Sequence, residues 1–255
     1  MPPRVDLTSR HRARTPTTSM DPIAEDYELL LPSESSSRAG KALGQEDQLP
    51  ISEGRRGDRI ALHLALVFMA VTWVTVLVND PVTVGWFAFH PLLQSLSIVL
   101  FTYGILTLQP TSQPKTKAAG LARHQYAMLL VAFPSIFFGT FAVMYNKWLH
   151  GKDHFVSWHG TFGIICMGWI LVQILLGGGS VWFGAKAKAI WKYHRVSGYV
   201  LFMLLILTAN LGGQWSGWSN RYVPVGLRII AYTVAPLACL FAIYARVRLS
   251  KMKFF

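Results

Sequence analysis

Polar and apolar positions divide this chain into a polar leader and six apolar runs. Residues 1 to about 58 are rich in Ser, Pro, Arg and Glu and show no sustained period. That composition predicts a disordered tail. The apolar runs then cover about Ile60 to Val78, Phe89 to Leu108, His124 to Tyr145, Val156 to Leu176, Tyr193 to Leu211 and Val223 to Tyr244. Each is close to the ~20 residues that cross a bilayer. Without water, the backbone must satisfy its own hydrogen bonds, so each run is expected to be a helix. Pro91 suits a first helical turn. Pro134 and Pro236 fall inside helices and are expected to bend them. Gly177-Gly178-Gly179 is expected to end the fourth helix. The fold class read from this pattern is all-α integral membrane, with six transmembrane helices.

Composition agrees with a membrane class. Of the 255 residues, 52% are hydrophobic and only 14% charged, against about 25% charged in soluble domains. The net charge of +12 does not point to nucleic acid, because the basic residues sit in the tails and at the ends of apolar runs. Arg55, Arg56 and Arg59 precede the first helix. Lys115, Lys117 and Arg123 lie between the second and third, and Lys186, Lys188 and Lys192 between the fourth and fifth. Arg246, Arg248, Lys251 and Lys253 follow the sixth. The alternate connections are poorer, with none in 79–86, Lys147 and Lys152 in the next, and Arg221 in the last. The alternation predicts both termini in the cytosol. Cys166 and Cys239 both lie in apolar runs, which argues against a disulfide framework.

No cleavable signal peptide is expected in the tail. Its patch Glu25-Asp26-Tyr27-Glu28-Leu29-Leu30 has the form of an acidic dileucine sorting signal. Such signals act on the cytosolic side and direct proteins to endomembranes, vacuolar or endosomal. A chance apolar spot in a loose tail is the plain alternative.

Histidine gives the pattern its chemistry. Helices two to five carry one each at or near the first residue: His90, His124, His159 and His194. Ionisable groups within membrane spans are rare and usually functional. The helices alternate in direction. His90 and His159 therefore share a depth near the non-cytosolic face, and His124 and His194 share one near the cytosol. Two layers of two imidazoles fit two bis-histidine haems in a core spanning Phe87 to Gly213. Gly163 and Gly198 sit four residues after their histidines, on the same helical face, and would let a flat ring approach. Gln94 and Met128 hold the corresponding places after His90 and His124. Interhelical hydrogen bonding, a proton relay or a histidine-lined transporter remain alternatives. Relays usually recruit carboxylates, and the four core helices contain no Asp or Glu. A zinc site wants four ligands at one depth. His63 lacks a partner of matching depth, and His11 lies in the tail. His150 and His154 lie in an outer loop with Lys147 and Lys152.

Phe89-His90-Pro91-Leu92-Leu93, Arg123-His124, Ser157-Trp158-His159-Gly160 and Tyr193-His194-Arg195-Val196-Ser197-Gly198 together resemble the cytochrome b561 family. The stretch Gly151 to Gly160 is similar to its short, single-domain branch. The resemblance covers roughly residues 60 to 248. It implies two haem b groups, with His90 and His159 on the outer iron and His124 and His194 on the inner one. It implies electron transfer from a cytosolic donor, commonly ascorbate, to a non-cytosolic acceptor, monodehydroascorbate or a ferric chelate. The ascorbate-dedicated branch has an Arg-containing motif at the cytosolic end of helix two. Here that end reads Gly104-Ile105-Leu106-Thr107-Leu108-Gln109-Pro110, without Arg. No flavin or copper-binding module is expected beside the membrane domain, taken as 59–247 with a cytosolic tail at 248–255. Lys115, Lys117, Arg123, Lys186, Lys188 and Lys192 would attract an anionic donor to the inner side, while positive-inside topology alone also explains them. Lys152 and His154 are candidates for the outer substrate mouth. The bilayer and the two redox partners complete the expected partners, with a homodimer allowed. The rival readings are a haem-binding anchor of a larger redox complex and a histidine-lined transporter.

Overall fold

The fold is described from a computed structural model, which covers residues 56–108, 114–183, 190–245 and 247. The tail, with its Glu25 to Leu30 patch, lies outside these residues. All regular structure among the described residues is helical, and six helices are long and apolar enough to cross a membrane. They are α1 (Arg56–Val78), α2 (Phe89–Thr107), α3 (Pro114–Gln125, Tyr126–Ala132 and Phe133–Leu149 in succession), α4 (Trp158–Trp182), α5 (Trp191–Trp215) and α6 (Val225–Ile229, Ile230–Val234 and Ala235–Tyr244). The all-α six-helix membrane architecture expected from the apolar runs is the one observed.

Between α1 and α2 the chain reverses at Asp80, which adopts the left-handed backbone conformation. Its carboxylate accepts from the N–H groups of Val82 and Thr83 and from the Thr83 hydroxyl. Those bonds, that of the Thr83 hydroxyl foremost, hold the carboxyl below the usual aspartate range. The cap starts the short helix Pro81–Val84, and a tight 3₁₀ turn, Gly85–Ala88, leads into α2.

The helices pack as neighbours in pairs: α2 on α3, α4 on α5, and α1 on α6 and α2. Phe68, Ile98, Cys166, Phe202, Ile206, Cys239 and Ile243 belong to one buried cluster. Large apolar side chains such as Leu130, Phe138, Leu175 and Phe241 point outward, as a surface solvated by lipid requires. Buried hydroxyls are satisfied by carbonyls one turn back, as in Thr102 to Ile98 and Ser97 to Leu93, and Ser97 also reaches the Ala132 carbonyl of α3. Cys166 and Cys239 are free and buried.

Both interior prolines are accommodated by a widened turn. A π turn, Tyr126–Ala132, ends at Phe133, whose N–H reaches back to the Met128 carbonyl, and Pro134 follows. A second, Ile230–Val234, ends at Ala235, whose N–H reaches the Ile230 carbonyl, and Pro236 follows. Proline lacks an N–H, and its ring clashes with the carbonyl four residues back. Opening the preceding turn moves that carbonyl aside. In α6 the carbonyl is that of Tyr232, and Asn210 of α5 donates to it from Nδ2 at 2.8 Å and to Thr233 Oγ1 at 2.9 Å. A difference from expectation lies in α4, which runs through Gly177-Gly178-Gly179 to Trp182. In a bilayer, leaving the helix there would strand backbone polar groups. The glycines also admit side chains: a Cβ on Gly178 would stand 2.6 Å from the Trp182 ring.

Asn210→Leu is expected to destabilise the protein by about 1 kcal/mol, the scale of an interhelical hydrogen bond in a membrane. In a Pro236→Ala background, where residue 236 regains its N–H, that loss should shrink toward zero. A double-mutant cycle of unfolding in detergent checks this, and equal losses in both backgrounds would contradict it.

Candidate functional site

The four core histidines reach their places by different local means. Ser157 caps α4, accepting from the Gly160 N–H at 3.2 Å, which sets His159 at the second helical position. His90 follows the 3₁₀ turn into α2, and His124 lies in the last α-helical turn before the π turn of α3. His194 lies in the first turn of α5.

Each imidazole crosses to the antiparallel neighbour of its own helix. His90 Nδ1 lies 3.0 Å from the Gly139 carbonyl, and His124 Nδ1 lies 3.0 Å from that of Gly104. In the other pair, His159 Nδ1 reaches the Thr208 carbonyl at 2.9 Å and His194 Nδ1 the Gln173 carbonyl at 3.1 Å. The pattern is reciprocal, each helix giving a histidine and receiving one. On α2, α4 and α5 the histidine and the accepting carbonyl are fourteen residues apart, so the layers are separated by about 21 Å along the helices at ~1.5 Å per residue.

Across the helix pairs, the histidines meet two by two. The rings of His90 and His159 have centroids 5.7 Å apart and planes at 78°. Those of His124 and His194 are 6.2 Å apart at 88°. A carbonyl can only accept, so each Nδ1 carries the proton, and each Nε2 is left with a bare lone pair. His90 Nε2 and His159 Nε2 face each other at 3.5 Å. Two lone pairs so placed repel one another unless a Lewis acid lies between them.

Glycines give these rings room. A Cβ on Gly212 would stand 2.6 Å from the His159 ring, and one on Gly177 2.9 Å from the His194 ring. Both lie eighteen residues after the histidine of their own helix. In the α2–α3 pair, Gln94 Nε2 stands 3.3 Å from a Cβ position on Gly139, and Met128 packs against Gly104. Gly163 and Gly198, the glycines singled out in the sequence, are the more open ones, with nearest atoms at 3.9 and 3.5 Å.

The other sequence candidates are not drawn into the layers. Lys117 is exposed and Arg123 half-buried. The Lys115 side chain, Lys186 and Lys188 lie outside what is described, and Lys192 rests over the Tyr193 ring. Lys152 is exposed, and the His154 ring lies tilted beside that of Phe155. His63 and His150 bond the carbonyls of Arg59 and Asn146 one turn back.

Comparison with known proteins matches this core to a family. The profile described as eukaryotic cytochrome b561 covers residues 89–220, just over half of the chain and all four histidines. The chain belongs to the cytochrome b561 family. Transmembrane reductase CYB561D2 of Bos taurus is 31% identical over 155 residues, 57% of this chain and 68% of the relative. The Homo sapiens protein of that name is 31% identical over 136 residues, 49% and 60% of the two chains. The Mus musculus protein is 29% identical over 155 residues. No solved structure matches.

Membership of the cytochrome b561 family implies b-type haem, and the residues present fit it. A bis-imidazole iron needs two bare nitrogens facing one another, rings oriented by bonds to their other nitrogens, and apolar walls. The facing Nε2 atoms of His90 and His159 would hold one such iron between them.

Gly212→Ala and Gly177→Ala are each expected to cost about 1–3 kcal/mol by overpacking a held imidazole. Gly168→Ala meets nothing within 4 Å and should be neutral or stabilise by up to ~1 kcal/mol. Unfolding in detergent followed by circular dichroism measures all three, and a neutral Gly212→Ala would contradict the packing argument.

Proposed function

We propose that this chain is a transmembrane oxidoreductase carrying two haem b groups, one held by His90 and His159 and the other by His124 and His194. The observation that carries this reading is the two imidazole pairs, each ring bonded through Nδ1–H to a backbone carbonyl, with the bare Nε2 atoms of His90 and His159 facing each other at 3.5 Å and the His124 and His194 rings 6.2 Å apart. Family membership and the name of the relatives, transmembrane reductase, agree with it. Bound haem supplies a one-electron iron couple inside the apolar core. The protein orients the axial nitrogens, excludes water with the walls of α2 to α5, and separates the two couples along the membrane normal.

The alternation of basic connections supports cytosolic termini. It makes His124/His194 the inner layer and His90/His159 the outer one. The basic residues of the first part of α3, Lys115, Lys117 and Arg123, with Lys186, Lys188 and Lys192 of the stretch that leads into α5, give the inner side positive charge that draws an anionic donor by long-range attraction. Ascorbate is that donor: it gives up one electron and becomes monodehydroascorbate. At the outer face the electron reduces monodehydroascorbate to ascorbate or a ferric chelate to the ferrous form, with Lys152 and His154 at the mouth. The Glu25 to Leu30 patch supports an endomembrane location, vacuolar or endosomal.

Purified protein is expected to hold two haems per chain. His90→Ala and His159→Ala should each deplete one redox component, and His124→Ala and His194→Ala the other. The double variant His90→Ala with His159→Ala should keep about one haem, because the layers are ~21 Å apart. Haem-to-protein ratios with redox titration of each variant make the test, and in sided vesicles ascorbate should reduce the haems from the cytosolic face without a partner subunit. Loss of the same component in His90→Ala and His124→Ala would overturn the two-layer assignment, and a haem-free protein would overturn the function.

A further inference from the structure

The α4–α5 pair treats its two histidines alike except at one position. In the outer layer, the residue whose carbonyl holds His159 is Thr208. Its methyl Cγ2 lies 3.9 Å from the Cβ position of Gly163, one turn after His159. The Thr208 hydroxyl turns away, donating to the Leu204 carbonyl at 2.7 Å, with Cys166 Sγ at 3.7 Å. In the inner layer, the residue whose carbonyl holds His194 is Gln173. Its Oε1 lies 3.5 Å from the Cβ position of Gly198, one turn after His194. A methyl at one layer is replaced by an amide oxygen at the other.

The hydrogen bonds around Gln173 fix which way its amide points. The Ser197 hydroxyl donates to the Tyr193 carbonyl at 2.7 Å, so toward Gln173 it can only accept. The Gln173 NH₂ must therefore face Ser197, with which it makes a close bond, and Oε1 takes the other side, toward Gly198. Gln173 is 8% exposed, and Oε1 finds no donor among the described residues. An acceptor buried without a donor is costly and calls for an explanation. The outer layer also has an amide, Gln94 of α2, whose NH₂ is bonded to the Ile136 carbonyl and Thr140 Oγ1 on α3; its Oε1, unlike that of Gln173, is not one of the buried oxygens without a donor among the described residues. His194 and Gly198 share a helical face, so Oε1 borders the space into which His194 points.

Resting on the di-haem reading, we propose that Gln173 is a positioning and tuning residue of the inner site: its carbonyl aligns His194, and its Oε1 turns the negative end of an amide dipole toward the inner iron couple. That dipole favours the oxidised, more positive state and lowers the inner potential. At the matching place on the α4–α5 pair the outer couple meets the Thr208 methyl. The difference holds the donor-side couple down relative to the acceptor-side couple and biases transfer outward.

The test is a spectroscopic redox titration of the full-length purified protein, with ferric electron paramagnetic resonance spectra of the same samples. Gln173→Leu is expected to raise one midpoint, increasing the reduced-to-oxidised ratio at fixed potential about tenfold, or about 59 mV for one electron. The component that moves should be the one depleted in His124→Ala and His194→Ala, and the other should stay. Ser197→Ala, which frees the amide to rotate, should move the same component in the same direction by less. Two retained haems with unmoved midpoints in Gln173→Leu, a downward shift, or a shift of the His90/His159 component would overturn the proposal and leave the di-haem reading standing. If Gln173→Leu loses its inner haem, Ser197→Ala decides, and an unmoved inner midpoint there overturns the proposal. Wild-type protein without haem overturns the underlying reading.

Discussion

The bond from an imidazole Nδ1–H to a backbone carbonyl on the neighbouring antiparallel helix is the interaction on which the core depends. It occurs four times, from His90 to Gly139, His124 to Gly104, His159 to Thr208 and His194 to Gln173. Each bond does three things. It satisfies a polar group inside a membrane span, ties two helices together, and fixes a tautomer whose bare Nε2 turns inward. Because each helix of a pair both gives and receives, two sites arise at the two ends of the same helices. The separation of the layers follows from helical rise alone.

Much of this was legible in the sequence, and for identifiable reasons. Six apolar runs near the length of a bilayer crossing admit little but helices. One histidine at the start of each of four alternating apolar runs puts His90 level with His159 and His124 level with His194, although the helix that carries His124 begins earlier, at Pro114. What the sequence did not disclose was the carbonyl side of each bond, since any residue offers a carbonyl. Gly163 and Gly198, one turn after a histidine, stood out, whereas the glycines that press on the rings are Gly177 and Gly212. Their shared spacing of eighteen residues from the histidine of their own helix was a signal that could have found them. Gly177-Gly178-Gly179 looked like a helix end because glycine often ends helices in water. A bilayer removes that option, and α4 continues to Trp182. Pro134 and Pro236 were read as bends, and the structure meets them with π turns and, at α6, a side-chain donor from Asn210.

The two layers are similar but not equal. Thr208 and Gln173 occupy matching places, and one presents a methyl where the other presents an unpaired amide oxygen. On the di-haem reading, symmetric backbone geometry holds the two cofactors and side chains on the same two helices set them apart. In a one-electron relay, binding is the shared requirement and potential is the differing one. The backbone serves the first and residue identity the second.

The central claim is that the chain holds two irons, each between two imidazoles whose planes are nearly perpendicular. Quantitative electron paramagnetic resonance of the oxidised, purified protein tests it most directly. Two low-spin ferric centres per chain are predicted, each iron taking both of its protein ligands from one histidine pair. One centre per chain, or a stoichiometric high-spin signal from an iron with only one histidine, would contradict it.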